Sequence, residues 1–375
     1  MTRIIFYNPQ GFEPWDWRNP DILGIGGSET CQIEMARRLS RMGHRVTSYA
    51  PVPGPSEDCG VDWRHFSEAD FTEPGLWIIF RSPESADRFD PGPDRVFWHV
   101  CQDVHYFERV NGRVCPSFTE ARASKFSRII ALCPTHRDFL AKNYPFLESR
   151  LCISSNGIKT DLIEKLDTQT RNPYKIVWAS SPDRGLEALL HIFKRAREYE
   201  PRLELVVCYG FDNWDKVIAK NPGGIQDRMK RRILSLFCPG VTFLGRLPQH
   251  ELWKQFLSAG IWCYPTTFEE TSCIACMEAQ ALGAIPITNN YWAVGHNVKY
   301  GFFISGDPLN DPLTRARYVG RVVSLARDPD LQSKIRERMM SWARHFFNWD
   351  LIAQTWSYWS VIDTRVHSSL SVSYR

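Results

Sequence analysis

The chain has 375 residues, and its 46 Lys and Arg against 42 Asp and Glu leave a net charge of +4, a length for two domains with separate cores and a balance that permits contact with anionic donors or membranes without requiring either. No segment approaches the ~20 apolar residues of a membrane span, and the opening MTRIIFYNPQ is too short an apolar run for a signal peptide. Eleven cysteines, an odd number with several in apolar settings (Cys101, Cys133, Cys208, Cys263), indicate reduced thiols of a cytoplasmic protein in place of a disulfide framework or zinc site.

Residues 3–7 (RIIFY) read as a buried strand. The stretch 8–23, with Phe12, Trp15 and Trp17, is long for a connection and suggests a substrate-facing loop or lid. Gly24, Gly26 and Gly27 then lead into an amphipathic helix ending at Met42, and 45–49 resumes as a strand, forming a βαβ unit. GIGGSE fails as a dinucleotide fingerprint, because the last glycine is absent and the strand lies too far upstream. Two more apolar strands, 76–80 and 95–101, follow. The second runs into Gln102-Asp103-Val104-His105, beyond a strand end, where open α/β sheets bind ligands. His99, inside that strand, fits a core histidine more readily than a site residue, and which of His99 and His105 lines the site, if either, stays open in the sequence. A strand at 128–132, a helix at 134–144, a strand at 151–154 and an Asn156-Gly157 turn complete a first domain to about residue 165. Polar residues 159–172 read as the hinge linker.

The second half repeats the alternation. Strand 174–179 delivers Ser180, Ser181, Arg184 and Gly185 to a helix start, an arrangement suited to phosphate. An arginine there opposes the helix dipole unless an anion sits beside it. After a strand at 203–209, the basic run 228–232 reads as a solvated helix face. Strand 241–244 precedes Arg246, and helix 249–259 leads to strand 261–264. Beyond Pro265 come Glu269 and Glu270, and the pattern turns helical from about Ser272 to Gly283. Glu270 falls in the loop, and Glu278 about two turns down the helix at ~1.5 Å per residue. Between them the N–H groups of Thr271, Ser272, Cys273 and Ile274 form an anion site. Donors for phosphate beside carboxylates for hydroxyls suit a nucleotide sugar. The same glutamates also fit a loop charge and an ordinary polar helix position. A strand around Ile285 and Ile287, a loop at 288–294, a strand at 300–303 and helices at 311–327 and 330–346 follow. A tail helix then aligns Trp349, Ile352, Ala353, Trp356 and Trp359 on one face, with a frayed end at 368–375.

Strand, proline, threonines, Glu270-x7-Glu278 and then Gly283 ahead of Pro286-Ile287 resemble the donor-site signature of retaining glycosyltransferases of the GT-B fold, glycosyltransferase family 4 (group 1 type). The resemblance covers most of the chain and is most specific from Ser180 to Pro286. It implies an α/β protein of two doubly wound, Rossmann-like domains facing across a cleft: an acceptor-side domain (1–165), a nucleotide-sugar domain (166–345), and a final helix (346–375) crossing back to the first. It assigns Glu270 to the sugar hydroxyls, Glu278 to the ribose, and the backbone of Thr271, Ser272, Cys273 and Ile274 to sugar and diphosphate. Ser180, Ser181 and Arg184 would grip the diphosphate, Arg246 would lie by the base, and Gly26 and Gly27 beside the donor phosphates. Asp103 and His105 stand where a histidine followed by aspartate is usual near the transferred sugar. Thr271-Ser272-Cys273 replaces the usual Gly-Phe-Gly, so the sugar-facing loop differs here.

The implied function is retaining transfer of a hexose-type sugar from a nucleotide-diphosphate sugar, UDP ahead of GDP, to an acceptor hydroxyl. The acceptor class is a glycan, lipid-linked sugar or small molecule ahead of nucleic acid. No metal or other cofactor is implied, and peripheral membrane contact is compatible with a cytoplasmic location. An epimerase or phosphorylase of the same fold, or a non-catalytic nucleotide-sugar-binding protein, are the other readings.

Overall fold

The computed structural model describes residues 1–11, 13–166 and 169–372, with side chains as far as Arg365. Phe12, residues 167 and 168 of the expected linker, and the last three residues of the expected frayed end lie outside the described residues. The chain divides into two compact units. The first comprises Met1–Asn19, Ile25–Gly157 and Asn348–Arg375; the second comprises Pro20–Gly24 and Ile158–Phe347.

In the first unit the strands are β1 (Arg3–Tyr7), β2 (Arg45–Ala50), β3 (Ser56–Asp58), β4 (Val61–His65), β5 (Gly75–Phe80), β6 (Arg95–Val100), β7 (Phe107–Val110), β8 (Arg113–Pro116), β9 (Arg128–Ala131) and β10 (Leu151–Ile153). Eight of them form one sheet in the order β10-β9-β6-β5-β1-β2-β4-β3, parallel except for β3 against β4. Its central strands β6, β5, β1 and β2 are buried except at their first residue, as parallel strands between helix layers are. The order reverses between β1 and β5, which is the doubly wound pattern with its switch point at those strands' C-terminal ends. β7 and β8 pair as a separate hairpin.

The tail helix, Trp349–Val372, belongs to this unit. Trp349 and Trp356 are buried, and Trp98 meets Trp356 and Trp359 edge to face. Polar bonds fix its register: Trp98 Nε1 donates to Asp363 at 2.7 Å, Arg128 Nη2 to the same carboxylate at 3.0 Å, and Trp356 Nε1 to Ser154 Oγ at 2.8 Å. Trp15 and Trp17 of the long loop also pack inside the unit, where the sequence suggests a substrate-facing lid. Trp15 is buried edge-on to Trp63, and the Arg37 guanidinium lies 5.7 Å from the Trp17 ring.

The second unit holds β11 (Asn172–Trp178), β12 (Glu204–Val207), β13 (Val241–Phe243), β14 (Ala259–Tyr264), β15 (Ile285–Thr288) and β16 (Phe302–Phe303), all parallel in the order β13-β12-β11-β14-β15-β16. Here the order reverses between β11 and β14. Much of the expected linker is packed structure. Lys159, Thr160 and Ile163 are buried, and Arg171 donates to the carbonyls of Phe256, Ala259 and Leu282. The Ile158 N–H donates to the Phe347 carbonyl at 2.7 Å, so the unit's long segment begins and ends side by side. Among the described residues no helix is long and apolar enough to cross a membrane.

Candidate functional site

The switch point of the second sheet brings together residues 80 to 90 positions apart in sequence. β11 ends at Trp178 and runs through Ser180 into a single turn of 3-10 helix, Pro182–Arg184. The arginine therefore stands ahead of the Leu186–Tyr199 helix instead of in its first turn. Gly185 makes this turn possible. Its φ of +118° is disfavoured for side-chain-bearing residues, and a Cβ there would sit 2.4 Å from the Pro265 carbonyl oxygen. The turn thus presses directly on the loop leaving β14.

That contact builds a cluster. The Arg184 guanidinium lies over the Phe268 ring, 3.2 Å from its centroid, and Nη1 is 3.5 Å from Glu270 Oε1. Tyr264, the last residue of β14, donates its hydroxyl proton to the same oxygen at 2.6 Å, and its Oη is 3.1 Å from Ser180 Oγ. With the phenolic proton committed to the carboxylate, the Ser180 hydroxyl is the donor in the second contact. Burial, reinforced by the Glu270 charge, pushes the Tyr264 phenol well above its ordinary range, so it stays a donor. Ser181 turns away and donates to Asp183.

The following helix runs Ile274–Ala281, shorter at its start than the sequence pattern suggests, with Cys273 as an N-cap at φ +59° and no side-chain cap. Its first N–H groups are thus not satisfied by a capping side chain. The loop before it is clamped by a helix at Trp292–Asn297, where the sequence reads as a loop through Val294. The Ala293 N–H donates to the Glu270 carbonyl at 2.9 Å, and Asn297 Nδ2 donates to the Ser272 carbonyl. Glu278 is buried, and its Oε1 accepts from Gln249 Nε2 at 2.7 Å and Trp253 Nε1 at 2.9 Å. Burial raises its pKa, partly offset by these two donors and by Lys159. Arg246 donates to the Gly24 carbonyl at 2.8 Å, and Gly24 (φ +69°) approaches so closely that a Cβ would sit 2.7 Å from the Leu247 carbonyl oxygen.

In the first unit the candidates separate. Both carboxylate oxygens of Asp103 are held by Arg81, through Nε and Nη2 at 2.9 Å each, and Arg81 Nη1 is 3.6 Å from Glu29. Arg81, at the C-terminal end of β5 with φ +62°, carried no sequence signal, since only the sheet order puts it beside Asp103. Gly26 is the N-cap and Gly27 the first residue of the Gly27–Arg41 helix. The Glu29 carboxylate folds back over that helix start, 2.5 Å from where a Gly26 Cβ would be, so a negative group already faces it. His105 is exposed, stacked on Phe107 and edge-on to Phe139. His99 is fully buried, with burial pushing its pKa down to about 3, as befits a core residue. His136, not singled out by sequence, accepts at Nδ1 from the Leu132 N–H, leaving Nε2 to donate to the Asp103 carbonyl at 3.1 Å; burial holds its pKa down at about 4.

Residues 163–339 match the family model described as glycosyl transferases group 1. Among solved structures, the catalytic domain of starch synthase IV from Arabidopsis thaliana, bound to ADP and acarbose, is 13% identical, with 97% of this chain and 99% of that one covered at a TM-score of 0.71. Sucrose-phosphate synthase from Thermosynechococcus elongatus is 14% identical over 96% and 98% of the two chains, at a TM-score of 0.67. HepE from Anabaena, in complex with UDP and glucose, is 13% identical over 96% and 99%, at 0.63. No curated protein matches by sequence. At such identities the likeness is one of fold, and the fold is GT-B.

Proposed function

We propose that this GT-B chain, whose second unit carries the group 1 glycosyl transferase match, is a retaining glycosyltransferase that moves a hexose-type sugar from a nucleotide-diphosphate sugar, UDP-linked in the first instance and GDP-linked as the alternative, to an acceptor hydroxyl. The observation that carries the reading is the Ser180–Tyr264–Glu270–Arg184 cluster at the β11/β14 switch point, on the loop that leads to Glu278. As the glycosidic bond breaks, negative charge builds on the leaving diphosphate. Arg184 and the uncapped N–H groups around Ile274 are preorganised to stabilise that charge. Glu270, with Tyr264 holding one oxygen, accepts hydrogen bonds from sugar hydroxyls. Glu278, oriented by Gln249 and Trp253, takes the ribose hydroxyls. Arg246 helps shape the base side of this pocket while holding Gly24. Asp103, in its Arg81 clamp, and His105 are the first unit's candidates for catalysis. With the leaving charge met by protein groups the reaction needs no divalent cation, so a chelator should leave transfer unchanged.

Thermal unfolding in the presence of UDP, GDP, ADP and their sugars tests the reading; a ligand at 100 times its Kd stabilises by about 2.7 kcal/mol. The matching nucleotide sugar should release sugar slowly, and Glu270→Ala should lose that release while keeping the nucleotide response. If no nucleoside diphosphate or nucleotide sugar raises the melting temperature, the donor site is wrong. Nucleotide binding without hydrolysis or transfer to any acceptor would instead identify a binding protein. The anomeric configuration of the product decides between retention and inversion.

A further inference from the structure

The start of the Ile274–Ala281 helix carries a second chemistry. Cys273 is its N-cap and Cys276 lies in its first turn, so Cys273-Ile274-Ala275-Cys276 is a C-x-x-C, a paired spacing that counting the cysteines as reduced thiols passes over. The Cys276 N–H donates to the Cys273 carbonyl at 3.1 Å, closing the turn between them. Helical geometry puts Cα atoms three residues apart at about 5 Å, inside the roughly 4.4–6.8 Å that disulfides span. Cys273 is half-buried as a residue, whereas Cys276 is fully buried.

We propose that Cys273 and Cys276 are a redox modification site that small-molecule disulfides convert to an intramolecular bridge, and that the bridge shuts off nucleotide binding; this rests on the donor-site reading above. The Cys273 thiolate attacks one sulfur of the oxidant, releasing one equivalent of its thiol. The Cys276 thiolate then displaces the second equivalent, so two protein thiols become one disulfide and the oxidant is reduced to two thiols. The consequence for the site follows from what Cys276 touches. Its Sγ accepts from Gln280 Nε2 at 3.5 Å, the same amide donates to the Asn297 carbonyl at 2.8 Å, and Asn297 in turn holds the Ser272 carbonyl. Drawing the sulfur towards Cys273 breaks the first contact and loosens the clamp on the loop from Thr271 to Cys273. Burial and the nearby Glu270 charge keep both thiols protonated at rest, so bridging is slow in the unperturbed protein.

The test incubates the full chain with excess oxidised glutathione, maps the peptides, and measures thermal stabilisation by UDP, GDP and ADP before and after. The expected result is a bridged 273–276 peptide, at least tenfold weaker nucleotide binding, recovery with dithiothreitol, and, in Cys276→Ala, a glutathione adduct trapped on Cys273 in place of the bridge. Two unbridged thiols in that peptide, or glutathione adducts at exposed Cys59 alone, would overturn the proposal, as would a bridge that leaves nucleotide binding intact. Mapping of the unmutated chain decides the chemistry even where Cys276→Ala fails to fold. A reduced protein that responds to none of the nucleotides removes the donor reading and the switch with it, whereas a responding protein that never bridges removes the switch alone.

Discussion

Arg184 and Glu270 are legible in the sequence because their types and local contexts mark them; their partners are not. Tyr264 reads as one more apolar strand residue, and Gln249 and Trp253 as helix residues, until the sheet order sets them against Glu270 and Glu278. Gly185 is the residue on which this convergence depends. Gly185→Ala adds both a disfavoured φ and a 2.4 Å clash with backbone, for a cost of about 2 kcal/mol or more. Its melting temperature and its nucleotide response should fall together. Glu278 makes a prediction with a sign. Burial raises its pKa above the ordinary value of 4.5, so the folded protein keeps the proton to higher pH than the unfolded chain. Its contribution to stability is complete below that ordinary value and is lost as pH rises through the folded one. Glu278→Gln has no such charge to bury, and so should gain stability relative to the parent between pH 4 and pH 8. Urea denaturation at the two extremes measures the difference, and an unchanged gap would contradict the assignment.

At the scale of elements, largely apolar strands such as β1, β5, β6 and β14 are legible because burial on both faces leaves a run that nothing else explains. The charge-bearing β3, β4, β7 and β8 are not, since their residues alternate with charge and depend on a neighbour strand for definition. The Trp292–Asn297 helix is hidden because its role is to hold the carbonyls of Glu270 and Ser272, by the Ala293 N–H and the Asn297 side-chain amide, and no pattern announces those bonds. The tail helix is legible as an aromatic face, and the sheet supplies its seat at Trp98, Arg128 and Ser154. Trp356→Ala should therefore cost the first unit about 3–5 kcal/mol. Hydrogen exchange should show lost protection in β6 and around Ser154, with the second unit's sheet unaffected.

For the whole molecule, the larger acid-sensitive burial lies in the first unit, while His191 is also lowered by burial in the second. His99 and His136, both in the first unit, are buried with pKa values pushed down to about 3 and about 4, and burial also lowers His44 there. An unfolded chain takes up those protons near pH 6.5 and the folded unit does not, so stability falls as pH drops below that value. At about 1.4 kcal/mol per pKa unit the loss for His136 alone is on the order of 3 kcal/mol. Limited proteolysis at pH 5 should cut the first unit before the second, and cleavage starting in the second would refute this. By itself the sequence determined the alternation of strands and helices, the presence of two such units, and the residue types around Glu270, because burial periodicity and local turn chemistry are written in neighbouring residues. Only the tertiary structure decided that β11 and β14 lie side by side, that Asp103 is clamped by Arg81, and that Tyr264 and Arg184 meet on Glu270. Those pairings are made by sheet order and loop approach, which bring together residues that no local pattern relates.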